Sequence, residues 1–176
     1  MDAQTVLAAV DLQVQRTVAD DAAGVPLGLA DLGWTADPVA REGVIDQVWN
    51  HRNCAGMCCA QTGFKQENFY IGLIANFIDD DDTEAGVFHG QIHDLIHPQL
   101  LDAGFTLTGP HDSSLLWSDG HTAVDLSLLR RIHQRTHTVP SAVQFAIYPL
   151  QHVSQPGPGP DGAEPRAASA GSTGFA

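Results

Sequence analysis

The sequence predicts an α+β fold: an N-terminal helical layer of four to five helices, followed by a small antiparallel sheet with one packed helix. Two observations predict it. Through the first hundred residues, apolar side chains recur every three or four positions, the helical period. Beyond Phe105 the pattern becomes short runs of Val, Leu, Thr and aromatic residues separated by turn signals.

Residues 4–19 are expected to form the first helix. Val6, Val10, Val14 and Val18 step by four with Leu7 beside them, which gives one apolar stripe. Gly24 to Gly33, with Pro26 inside, reads as a loop. Asp37-Pro38 is expected to open a second helix, Asp37 as N-cap and Pro38 at the first helical position, with Val44, Ile45, Val48 and Trp49 on its buried side. Residues 54–62 add a short helix stopped by Gly63. Phe69/Tyr70, Leu73/Ile74 and Phe77/Ile78 repeat every four residues and predict a largely buried helix.

The acid run Asp79–Asp82 suits the start of another helix, where carboxylates meet exposed N–H groups; Asp81 and Glu84 have capping-box spacing. The run lacks the alternating Asp pattern and closing Glu of a calcium loop. That helix is expected to reach about His97, with a joint at Pro98 and one more turn ending near Gly104. Phe105–Thr108 reads as a strand. Leu115–Trp117 and Thr122–Val124 flank Ser118-Asp119-Gly120-His121, a hairpin signal carried by Asp-Gly. Leu128, Leu129 and Ile132 suggest a helix from about Asp125 to Thr136, and Ala142–Tyr148 a last strand. Residues 1–153 then form a single globular domain, and 154–176, rich in Pro, Gly and Ala, a disordered or extended tail.

The formal net charge is −13. Seven Lys/Arg against nineteen Asp/Glu in residues 1–153 account for −12 of it. Such a field repels nucleic acid and anionic membrane and favours cations and basic partner surfaces. Lys65 is the sole lysine, which makes lysine-based Schiff-base chemistry improbable. Phosphate-loop, dinucleotide-fingerprint and nucleophile-elbow motifs are missing. The start Met1-Asp2-Ala3-Gln4 lacks the basic and apolar features of a signal peptide. The three cysteines cluster within 54–59, a poor disulfide framework. The expected compartment is therefore the cytoplasm, with a component of a virion or other assembly as the alternative.

Chemistry-bearing residues recur at a spacing of four: Cys54/Cys58, His89/His93 extended by His97, and His133/His137. Each pair would project from one face of a helix. Nine histidines placed at random would give roughly half of one such pair, whereas three are present. On a helix whose core side is Val87, Phe88, Ile92, Leu95 and Ile96, the stripe of His89, His93 and His97 lies roughly 130° away from that side. It faces solvent, a partner or another element. Gly86 and Gly90 share the stripe and would admit a close backbone.

Convergent imidazoles and thiols are the ligands of zinc or another divalent transition metal, so His89, His93, His97, His133, His137, Cys54 and Cys58 are the candidate ligands. His89 and His97 are about 12 Å apart along a straight helix, so one ion would need ligands from other elements. A solvated, histidine-rich face is the competing reading of the first stripe. For His133 and His137, which share their segment with Arg130, Arg131 and Arg135, helix-dipole stabilisation or an anion contact competes.

A cysteine nucleophile is the rival enzyme reading. Asn53-Cys54-Ala55-Gly56 would place a thiol at a helix N-terminus, where the dipole stabilises thiolate. His121 opens a strand after a tight turn, and Asp125 or a residue on the last strand could orient it. Helix-borne cysteine, further helices, then histidine on a sheet resembles the order in papain-like hydrolases, including the NlpC/P60 and C39-like groups. The resemblance implies catalysis by Cys54, His121 and Asp125. The strand that precedes the histidine strand in NlpC/P60 proteins is not recognisable here. Ligand pairs without a coherent catalytic set favour a non-catalytic binding or assembly protein with a protein partner or a homo-oligomeric state. A purely structural component whose tail docks on neighbouring subunits is a further alternative.

Overall fold

A computed structural model describes residues 2–38, 47–54, 57–65, 68–77, 82–111, 114–130, 132–133, 138–139 and 141–150. Its centre is an antiparallel sheet of eight strands, not a small sheet behind a helical layer, and three helices cover one side. The elements are α1 (Ala3–Val18), α2 (Val25–Asp31), β1 (Thr35–Pro38), β2 (Gln47–Asn50), β3 (Cys58–Lys65), β4 (Asn68–Phe77), α3 (Asp82–Asp102), β5 (Thr106–His111), β6 (Ser114–Ser118), β7 (Thr122–Leu129), β8 (Ile132–His133), β9 (Thr138–Val139) and β10 (Ser141–Pro149). Sheet order is β1-β2-β3-β4-β10-β7-β6-β5, while β8 and β9 form a separate two-stranded ladder. Two meanders thus grow inward from opposite edges, and β10 closes them, pairing with β4 on one side and β7 on the other. Among the described residues no helix is long and apolar enough to cross a membrane.

The first helix forms as the valine stripe predicts. Val6, Val10 and Val14 are fully buried, and the Asp2 side chain caps the start by accepting from the Gln4 N–H at 3.2 Å. In α3, Phe88, Ile92, Ile96 and Leu100 form the buried seam. The joint expected at Pro98 does not occur, and the helix continues through it to Asp102. Pro98 removes only the hydrogen bond to the Asp94 carbonyl, and Asp94 lies on the exposed side where water can serve instead. Beyond it, Gln99 donates to Asp11 of α1 at 2.9 Å, which holds the last turns in place.

Four expected helices are corrected, and one expected loop. Asp37-Pro38 ends β1 rather than opening a helix, and Val48 and Trp49 lie on opposite sides of β2; Val44 and Ile45 lie outside the described residues. The segment 54–62 divides into a single helical turn at Arg52–Cys54 and the start of β3. The doublets of 69–78 are a strand: Ile71, Leu73, Ala75 and Phe77 face the core while Gly72, Ile74 and Asn76 face away. A doublet repeated every four residues places one member on each face of a strand as readily as it builds one side of a helix. Residues 125–129 continue β7 instead of starting a helix, because β10 pairs with that strand from Thr122 to Leu129. The segment read as a loop at 24–33 holds α2, with Pro26 in its first turn, where a missing N–H costs nothing.

The core lies between the helices and one sheet face. Val143, Phe145 and Ile147 of β10 sit at its centre, beside Leu73 of β4, Leu126 of β7 and Trp117 of β6. At the β6–β7 hairpin Asp119 Oδ1 accepts from the N–H groups of His121 and Thr122, and Gly120 takes φ +91°, which secures the turn announced by Asp-Gly. Both sheet edges are blunted. β1 has four residues and ends in Pro38, and β5 carries Pro110 within a break of register between Thr108 and His111.

Candidate functional site

The histidine stripe turns toward the sheet. Strand β6 brings the fully buried Trp117 beneath α3, and its indole N–H donates to Nδ1 of His97 at 3.0 Å. A nitrogen that accepts must carry a lone pair, so His97 holds its proton on Nε2. His93 stacks on His97 with ring centroids 4.9 Å apart, and its Nδ1 meets Asp94 at 3.1 Å. His89 is half-buried, and its Nε2 reaches no partner among the described residues. Burial holds its pKa below the ordinary imidazole value; the Leu126 backbone opposes this and neighbouring His93 adds to it. Nothing lies within 4 Å of where a Cβ would sit on Gly86 or Gly90, so no backbone makes the close approach those glycines suggested.

The candidate metal ligands that lie among the described residues do not assemble. Cys54 and Cys58 are bonded to each other as a disulfide with Cα atoms 5.5 Å apart, contrary to the expectation of unpaired thiols. Neither sulfur is then a thiolate ligand. The bond ties the turn at 52–54 to the first residue of β3, and both cysteines are buried. His133 lies in β8, paired with Thr138, and His137 lies outside the described residues. Among the described residues no three His, Cys, Asp or Glu side chains converge on a common centre.

Strand register also separates the hydrolase set. Cys58 lies opposite Ala75, Ala75 opposite Val143, and Val143 opposite Leu128, whereas His121 precedes Thr122 at the other end of β7. Three strand spacings and seven residues of rise put roughly 27 Å between the two ends. Asp125 is on the sheet side away from the helices, where its Oδ1 accepts from the hydroxyls of Ser114 and Ser127, each at 2.7 Å. Cys54, His121 and Asp125 therefore form no nucleophile–base–acid array.

A feature that the sequence does not announce is the sheet face turned away from the helices, termed the open face, whose central Gly72, Ala123, Ala142 and Ala146 are buried among half-buried neighbours. Register places Cys59 and Gln61 of β3, Gly72, Ile74 and Asn76 of β4, and Ala142, Gln144, Ala146 and Tyr148 of β10 on it. Ala123, Asp125 and Ser127 of β7 and Leu116 of β6 continue it. The three helices pack on the other side. Among the side chains described on the open face, only Asp125 and, at the β1 edge, Asp37 are charged, and Asp37 is bound by Asn50 at 2.8 Å. Asp2, Asp11, Asp20, Asp21, Asp31, Glu84, Asp94 and Asp102 lie instead on or beside the helices. Cys59 is a half-buried free thiol, its pKa pushed up by burial. The period-two alternation of 141–149, with Val143, Phe145 and Ile147 against Gln144 and Tyr148, is the signal that could have found this face. No protein-family model matches the chain, and no curated protein or solved structure matches it either.

Proposed function

We propose that this chain is a non-catalytic binding or assembly module whose working surface is the open face of its sheet. The observation that carries the reading is the charge distribution. The chain has a net charge of −13, yet the described side chains of one broad face hold two carboxylates, each engaged by neighbouring polar groups. Depletion of charge with retention of hydroxyl, amide and aromatic groups is the composition of the centre of a protein interface. The engaged Asp125, the disulfide at Cys54 and the distant His121 support a role other than covalent catalysis.

Cys59 offers the test, because it lies on this face and is the free cysteine. Alkylation at Cys59 should be several-fold slower in extract of the cells that make the protein than in dilute purified protein. Equal rates in the two settings refute the reading. Oxidation of the thiol in extract is checked by mass and scored separately.

A further inference from the structure

We propose that the contact between Trp117 and His97 is a proton-operated latch, which holds the C-terminal half of α3 on β6 while His97 is neutral and releases it when that ring takes a second proton. The latch lies on the helical side of the sheet and does not depend on what the open face binds. Trp117 is 0% exposed, and its indole N–H donates at 3.0 Å to Nδ1 of His97, the acceptor it finds among the described residues. An indole nitrogen can only donate, so the bond exists only while Nδ1 keeps its lone pair. A protonated imidazole carries N–H on both ring nitrogens, and neither a ring flip nor a change of tautomer restores an acceptor. Two donors then face each other beneath the helix, one of them on a fully buried side chain. A buried donor without a partner is costly, so the His97 ring must swing out or water must enter.

The surroundings couple this contact to the pH of the solvent. His97 is half-buried, so a proton reaches it without unfolding of the core. His93 stacks on it with ring centroids 4.9 Å apart and planes 19° from parallel, and protonation of both sets two like charges face to face. His89, two turns before His97 on α3, adds a third imidazole. Asp94 is the carboxylate beside them, 3.1 Å from His93 Nδ1, but its side chain is 84% exposed, where water weakens its hold on the pair. From α1 the nearby carboxylate is Asp11, which is engaged by Gln15 and Gln99. The described side chains that β4, β6, β7 and β10 turn toward the helices carry no charge. The sheet therefore offers a protonated His97 no counter-ion among the described residues. Release is local, because Phe88, Ile92, Ile96 and Leu100 keep their buried seam while Trp117 gains access to water.

Nuclear magnetic resonance of the full, isotope-labelled chain tests the latch between about pH 8 and 5, the range over which histidine changes charge. EDTA is present throughout, so that no adventitious metal competes for the rings. The chain has three tryptophans, and each indole N–H gives its own signal. The Trp117 indole N–H should exchange with water about tenfold faster at the acid end, after removal of the intrinsic pH dependence of exchange. The midpoint of that change should match the titration of the His97 ring. Trp49, whose indole donates to Thr62 Oγ1 at 2.8 Å, should stay protected. His97→Gln puts a side chain that does not titrate beside the indole and should abolish the pH response of Trp117. A Trp117 signal that stays flat overturns the latch, as does one that follows the ring of His89 or His93 instead of His97. A response that persists in His97→Gln also overturns it. So does joint loss of Trp49 protection, which would mean global unfolding rather than local release.

Discussion

Replacing Gln13 with leucine should make this protein more stable. Gln13 sits on α1 between the buried Val10 and Val14, is 0% exposed, and among the described residues finds no hydrogen-bond partner for either Oε1 or Nε2. A buried amide without partners costs about 1–3 kcal/mol relative to water. Leucine has similar bulk, a similar helix propensity and less rotamer entropy to lose. Against this stands imperfect fit, which costs less than about 1.5 kcal/mol for swaps of near-equal volume. The net expectation is a gain of about 1–2 kcal/mol, or a rise in Tm of about 2–8 °C for a chain of this length. Urea unfolding at pH 7.5, followed by circular dichroism, measures it with the m-value as a check on two-state behaviour. A loss of 1 kcal/mol or more would refute the reasoning, because it would mean that the amide is hydrogen-bonded in solution.

Three further outcomes are expected. Gly86→Ala and Gly90→Ala each put a methyl into open space on α3 and should stabilise by about 0.5–1 kcal/mol in thermal melts; a loss would place a close neighbour there. Burial lowers the His89 pKa, so its contribution to stability is complete above about pH 6.5 and declines as pH falls through that ordinary value toward the folded one. Tm should drop between pH 7.5 and 5.5, His89→Leu should shrink the drop, and equal drops in both proteins would contradict the assignment. Alkylation without reductant should modify Cys59 alone, slowly, and reduction of Cys54–Cys58 should cost about 2 kcal/mol; three equally reactive thiols would rule out the disulfide.

What could be read from sequence follows from how each element is stabilised. Helices α1 and α3 are amphipathic, so Val6/Val10/Val14 and Phe88/Ile92/Ile96 leave an unambiguous 3.6-residue trace. The β6–β7 hairpin was legible because Asp119-Gly120 dictates a turn by local chemistry. Strand β4 was not, because a central strand packed on one face and lined by small or apolar residues on the other shows a near-continuous run, which helical and extended periods fit equally. The cysteine spacing of four misled for a related reason. Four residues bridge one helical turn, but they also let Cys54 fold back onto the first residue of β3. The stripe at 89, 93 and 97 was expected to lie away from the core side, yet it turns toward the sheet and meets the buried Trp117, a contact twenty residues distant that no local pattern encodes.

The two sheet edges bear on what kind of assembly this architecture permits. Unprotected edges would let strands of successive molecules pair without limit, yet Pro38 ends β1 and Pro110 interrupts β5. A central strand shares neither feature: β10 is paired along both sides, with Phe145 opposite Leu73 on one and Leu126 on the other. Extension through hydrogen-bonded edges is therefore disfavoured at both ends, while the open face presents side chains rather than free backbone groups.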